Sequence, residues 1–232
     1  MIDGYARYAL YWAPEADSAL ARFGANWLGW DAEAGRESAP PELPGLPMPA
    51  AEITATPRRY GFHATLKPPF APAPGVSAAA LWDAARALAA ATPAFDAPAL
   101  ALTGANGFAS LRLSAQSADM AALGGALVRG LDGFRAAPAQ AELARRRSAP
   151  LPAAAEANLT RWGYPWVMGL FQFHLTLSGA LAPAPLTATL AALVPAVAPF
   201  CAAPLAVREV CLFGDPGGGA PFRLIGRAPL GG

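Results

Sequence analysis

An α+β fold with two related lobes is what this sequence predicts, on three observations. Strand-like and helix-like stretches are mixed along all 232 residues. The second half repeats the first in outline, as histidine strand, helix and two strands. The only two histidines open the same four-residue pattern, His63-Ala64-Thr65-Leu66 and His174-Leu175-Thr176-Leu177. With threonine at only nine positions, two scattered histidines would both gain this pattern with a chance on the order of one in ten thousand or less. A composition of 54% hydrophobic and 14% charged residues supports a substantial core, so residues 1–232 are expected to form a single bilobal domain.

The elements follow in order. Residues 5–13, rich in aromatic side chains, read as an opening strand, and residues 18–28 fit a helix. Residues 36–57 carry Pro40, Pro41, Pro44, Pro47, Pro49 and Pro57 and read as a loop, either a passive connector or a lid. After the first histidine strand, residues 77–91 place Leu81, Ala84, Ala85 and Leu88 at helical spacing behind a capping serine. Strands are expected over 95–103 and 107–114, around a turn holding Gly104, Asn106 and Gly107. Helices fit 117–131, 139–147 and 153–162, the last two forming a helical insertion over about 138–162. The second histidine strand begins near Leu170, residues 186–197 read as a short helix ended by prolines, and strands over 206–213 and 221–228 flank a loop over 214–219.

Charge and cysteine content exclude some function classes. A net charge of +1 and a single lysine, Lys67, do not provide the broad basic surface that grips a long nucleic acid. Arg145, Arg146 and Arg147 read as a solvated helix face. Cys201 and Cys211 are expected to be reduced thiols, and the chain cytoplasmic, since no leader-like segment precedes Tyr5. No charged residue occurs between Trp162 and Val207, yet prolines at 165, 183, 185, 195, 199 and 204 are expected to interrupt every window long enough to span a bilayer.

The chemistry lies in the two histidine segments. Alternation along a strand puts His63, Thr65 and Lys67 on one face, and Gln172, His174, Thr176 and Ser178 on one face of the second segment, opposite apolar residues in both cases. Two imidazoles so placed suit a phosphodiester, especially a cyclic one. One takes a proton from water or a hydroxyl, the other protonates the leaving oxygen, and the threonine hydroxyls bind the non-bridging oxygens. No cofactor and no metal is required; zinc would want a third or fourth ligand, and no His-Glu-x-x-His or Cys-x-x-Cys pattern is present. Lys67 adds either a phosphate contact or an ordinary cation at a strand end. Arg7 and Tyr11, which share a face of the first strand, and Arg59, beside Tyr60, are further substrate candidates, because a guanidinium binds a second phosphate bidentately.

The paired motifs, 111 positions apart, resemble those of the 2H phosphoesterase superfamily. The longer stretches Arg7-Tyr8-Ala9-Leu10-Tyr11, Arg58 to Phe70, Trp162-Gly163-Tyr164-Pro165 and Phe171 to Gly179 resemble the phosphonate-metabolism protein family associated with carbon–phosphorus lyase operons. The resemblance implies two mainly antiparallel sheets flanked by helices, a cleft between lobes, catalysis by His63 and His174, and phosphate binding by Thr65 and Thr176. It also implies a substrate, a 5-phosphoribosyl 1,2-cyclic phosphate that must be opened. An RNA 2′,3′-cyclic end or 2′-5′ ligation is a less favoured alternative. A module that merely binds nucleotides or phosphonate intermediates is another. No membrane partner is expected, and the sequence does not assign an oligomeric state.

Overall fold

The architecture, seen in a computed structural model that describes residues 2–232, is mixed α and β with antiparallel sheets. In chain order the elements are β1 (Arg7–Trp12), α1 (Ala19–Leu28), β2 (Trp30–Asp31), β3 (Arg36–Glu37), α2 (Ala50–Ile53), α3 (Ala55–Arg58), β4 (Ala64–Phe70), α4 (Ala78–Ala90), β5 (Phe95–Ala97), β6 (Leu100–Thr103) and β7 (Ser110–Leu113). There follow α5 (Ala118–Gly130), α6 (Gln140–Arg146), α7 (Ala153–Trp162), β8 (His174–Thr176), α8 (Pro183–Val197), β9 (Leu205–Val207), β10 (Glu209–Asp215) and β11 (Arg223–Pro229). Serines cap three of the helices: Ser18, Ser77 and Ser117 each accept from a backbone amide three residues on.

The internal repeat is present, in a crossed form. β4-α4-β5-β6-β7 and β8-α8-β9-β10-β11 share one element order, but the sheets exchange their parts. One sheet has the order β11-β10-β1-β4 and the other β6-β7-β8, while β5 pairs with β9. Each histidine strand therefore joins the hairpin of the opposite half. β4 and β8 are edge strands of their sheets and lie beside each other. A single apolar core runs under both, with Leu10, Ala64 and Leu66 from one sheet and Leu111, Leu175 and Leu177 from the other all buried. The opposite face of the first sheet carries a second, smaller buried cluster of Ala9, Tyr11, Cys211 and Phe213 with Ala32 and Phe222.

Several expectations need correction. The strand expected over 95–103 is two strands in different sheets, because Pro98 has no N–H to continue a ladder. The expected strand over 206–213 is divided at Arg208 in the same way between β9 and β10. The proline-rich stretch is not all loop: α2 and α3 occupy its end, with Pro49 at a cap and Pro57 in the first turn of α3, where no intrahelical N–H bond is needed. The second histidine strand spans only three residues, preceded by a 3₁₀ turn at Met168–Leu170. Prolines do not break the apolar segment as expected. Pro183 and Pro185 open α8 where their missing N–H groups cost nothing, and the helical course continues through Pro195 to Cys201. These 19 residues are long and apolar enough by composition to cross a bilayer, and only one face of the helix, with Thr189, Ala192, Leu193 and Val197, is buried.

Candidate active site

Local structure sets each histidine in the same way. His63 sits immediately before β4, after Gly61, whose φ of 73° is left-handed and whose Cβ, were there one, would lie 2.8 Å from the Ala32 methyl. The Gly61 carbonyl accepts a hydrogen bond from His63 Nδ1 at 2.9 Å. His174 opens β8, and its Nδ1 donates to the Gln172 carbonyl at 2.8 Å. A carbonyl can only accept, so in both neutral rings Nδ1 carries the proton and Nε2 holds the lone pair, which in His63 can accept from the Thr65 hydroxyl. Two histidines thus present the same reactive nitrogen.

Thr65 and His174 line one cleft of about 550 Å³, together with Phe108, Arg112, Tyr164 and Trp166. His63 reaches the same cleft through Thr65, whose Oγ1 lies 3.2 Å from His63 Nε2. Burial pushes the His63 pKa down to about 4, the Gly61 carbonyl opposes this, and a charge on His174 would lower it further. Burial also holds His174 below the usual histidine value, and the nearby Arg112 guanidinium adds to this. Thr176 faces the same side of its sheet as His174, opposite Ser110 and Arg112.

Of the other expected site residues, Tyr11 is behind His63 rather than open to a ligand. It is 1% exposed, and its ring stacks on the imidazole at 3.7 Å between centroids and 19° between planes. Burial raises its pKa well above 10, so it remains a phenol. Arg7 and Arg59 both reach Asp215, at the other end of the same sheet face.

Lys67 is a correction. A bulge at Leu66 reverses the alternation, because Tyr11 pairs with Thr65 whereas Leu10 pairs with Lys67. Lys67 therefore leaves the face of His63 and Thr65. It is 2% exposed, and its Nζ donates to the Val128 carbonyl in the last turn of α5 at 3.2 Å, above the Phe70 ring. Burial lowers its pKa to about 8.

Arg112 takes the cationic place that Lys67 leaves. It sits directly across the ladder from His174, its Nη1 donates to Gln172 Oε1 at 3.0 Å, and no carboxylate pairs with it among the described residues. Sequence reasoning missed it, since the only available signal was a polar position in an otherwise apolar strand. Of the arginine run, Arg145 alone has no ion pair. Arg147 pairs with Glu156, and Arg146 pairs with Glu142 and covers the Tyr164 ring at 4.5 Å. Cys201 and Cys211 are both free thiols, and burial pushes Cys211 up to about 12.

Residues 65–223 match the model of a family described as "Protein of unknown function (DUF1045)". The chain belongs to this DUF1045 family. The match takes in Thr65, Arg112, His174, Thr176 and Asp215, and begins two residues after His63. Two proteins named ribose 1,5-bisphosphate phosphokinase PhnN are similar to this DUF1045 chain. The one from Janthinobacterium sp. (strain Marseille) is 36% identical over 241 residues, covering 99% of this chain and 52% of that protein. The one from Laribacter hongkongensis (strain HLHK9) is 38% identical over 221 residues, covering 94% and 50%. The chain thus spans about half the length of the curated relatives it matches. Among solved structures, E. coli LigT complexed with 3′-AMP is similar at a TM-score of 0.44 and 14% identity, covering 98% of this chain and 99% of that one. The LigT complex with NADP+ gives 0.41 and 16%, covering 99% and 100%.

Proposed function

We propose that this DUF1045 protein is a 2H-type phosphodiesterase, working in the cytoplasm without a metal, that opens a small cyclic phosphate. The substrate is 5-phosphoribosyl 1,2-cyclic phosphate. The observation that carries this reading is the matched pair of imidazoles, each with Nδ1 tied to the carbonyl two residues upstream and a threonine two residues on, His174 lining the cleft and His63 Nε2 backing its Thr65 wall.

His63 has its pKa depressed to about 4 and so stays neutral over the wider pH range, which makes it the base. It takes a proton from water as the water oxygen bonds to phosphorus. His174, as imidazolium, gives its Nε2 proton to the ribose 2-oxygen as the P–O2 bond breaks. Thr65, Thr176 and the Arg112 guanidinium stabilise charge on the non-bridging oxygens. The product keeps phosphate on O1 and is ribose 1,5-bisphosphate, the compound in the printed name of the two PhnN relatives. Phosphoryl transfer from a nucleotide commonly uses a lysine beside a phosphate-cradling loop, and the only lysine here is buried against α5. We therefore assign the kinase chemistry in those names to the half of the relatives that this chain does not cover.

The test is ³¹P NMR of purified protein with 5-phosphoribosyl 1,2-cyclic phosphate. Ribose 1,5-bisphosphate should form at a rate unaffected by EDTA, and His63→Ala or His174→Ala should each lower turnover by roughly 10²- to 10⁴-fold. Loss of activity with EDTA and recovery with zinc would overturn the reading. A second reading, action on RNA 2′,3′-cyclic ends, is favoured by the ring-lined cleft wall, where Trp166 is 48% exposed and can stack on a base. Preference for an RNA cyclic end in the same assay would select it.

A further inference from the structure

The sheet face that carries His63 and Thr65 continues away from the cleft to a second polar cluster. On that face, Tyr11 lies across from Thr65, and Arg7, four residues back along β1, lies across from Asp215 on β10. Asp215 is 1% exposed and holds two guanidiniums at once. Its Oδ2 accepts from Arg7 Nε at 2.9 Å and Nη2 at 2.5 Å, and Arg59 Nη2 is 3.6 Å away. Its Oδ1 accepts from the Gly217 amide at 2.9 Å. One carboxylate thus orients two cations and leaves a surplus positive charge. Arg59 Nε is buried with no partner among the described residues, and both guanidiniums are partly open, with Arg7 29% and Arg59 36% exposed. A buried pair built only for stability would not need a second, under-satisfied arginine.

Between this cluster and His63 lie the partly exposed ring of Tyr60 and the buried rings of Tyr11 and Phe222. Phe222 lies 5.8 Å from Arg7 Cζ and 6.4 Å from the Tyr11 ring, and Tyr60 lies 6.0 Å from Arg59 Cζ and 6.5 Å from the His63 ring. The Arg59 carbonyl accepts from the Phe222 amide at 2.7 Å and locks the two segments together. We infer that Arg59 and Arg7, oriented by Asp215, form a second phosphate subsite that binds a phosphomonoester dianion on the same substrate whose cyclic phosphate lies between the histidines. This rests on the proposed function and deepens it: the remote monoester phosphate of that substrate gains its own binding residues, which set the enzyme's preference for it. Asp215 is a positioning residue, and the guanidiniums make the contact through bidentate, charge-assisted hydrogen bonds.

The experiment compares kcat/KM for 5-phosphoribosyl 1,2-cyclic phosphate with that for ribose 1,2-cyclic phosphate, in the wild type and in Arg59→Gln and Arg59→Lys. Arg59 is chosen because its loss leaves the Arg7–Asp215 pair intact. The wild type should prefer the 5-phosphorylated substrate by about a hundredfold, Arg59→Gln should cut that ratio tenfold or more, and Arg59→Lys should restore part of it. Calorimetric titration with ribose 5-phosphate, which contains no cyclic phosphate, reads the subsite without turnover, and Arg59→Gln should weaken this binding tenfold or more. An unchanged ratio and unchanged ribose 5-phosphate affinity in Arg59→Gln would overturn the subsite. Failure of the wild type to open either cyclic phosphate, with Arg59-dependent ribose 5-phosphate binding retained, would instead overturn the reaction while leaving the subsite standing.

Discussion

At the scale of single residues, burial shifts three titratable groups, His63, His174 and Lys67. His63 is neutral in both folded and unfolded chains above its ordinary value of 6.5. Between 6.5 and about 4 the unfolded chain binds a proton that the folded chain does not, so stability falls as pH drops through that window, by up to about 1.4 kcal/mol per unit. His174, also lowered, acts with the same sign. Urea unfolding at neutral pH and at about pH 5 should therefore show a smaller loss for His63→Phe than for the wild type. The proposed acid–base reaction requires one ring charged and the other neutral, which places the optimum of a bell-shaped kcat/KM profile on the acid side of 6.5. An optimum on the alkaline side would contradict the assignment. Lys67 behaves differently from the sequence expectation, because alternation places it beside His63 and a single bulge removes it. Lys67→Met should keep kcat/KM within about threefold, since the substituted side chain fills the same apolar space far from phosphate.

Among the elements, α1 holds the two motifs at a fixed separation. Gly24 packs so closely on Phe62, the residue before His63, that a Cβ there would lie 2.0 Å from the ring. One turn further, Trp27 Nε1 donates to the Leu177 carbonyl, next to Thr176, at 2.7 Å in a buried bond. Gly24→Ala is expected to cost about 1–3 kcal/mol, read as a lower urea midpoint, and to lower kcat more than it raises KM because it displaces His63. A lowered urea midpoint with unchanged kcat in Gly24→Ala would contradict this coupling. None of it could be read beforehand. The amphipathic spacing of residues 18–28 shows that a helix forms, whereas which glycine a phenylalanine will press against is decided by tertiary packing. His63, Thr65, His174 and Thr176, by contrast, were legible because duplication marks them in the sequence, and the strands around them alternate clearly enough to give a face. Arg112 and Asp215 stand in no repeated pattern, and only strand pairing across long separations sets Arg112 beside His174 and Asp215 beside Arg7. Pro98 was visible, yet a run of apolar residues on both sides concealed that it divides two sheets.

For the whole molecule, the crossed topology explains why a duplicated motif makes one site. If each half had kept its own hairpin, the histidine strands could have ended on separate surfaces. Exchange of the β6–β7 and β10–β11 hairpins leaves β4 and β8 as neighbouring edges above one core, so that Thr65 and His174 line the same cleft. The two histidine strands and the longer helices were readable in order from the sequence; the exchange was not, because hydrophobic patterning reports which face of a strand is buried and carries no information about its partner. The most direct measurement of the central claim is a crystal structure with inorganic phosphate bound. The account predicts one phosphate within hydrogen-bond distance of both Nε2 atoms, of His63 and of His174, with Thr65 and Thr176 on its oxygens. A phosphate bound by one histidine alone, or bound away from both, would contradict it.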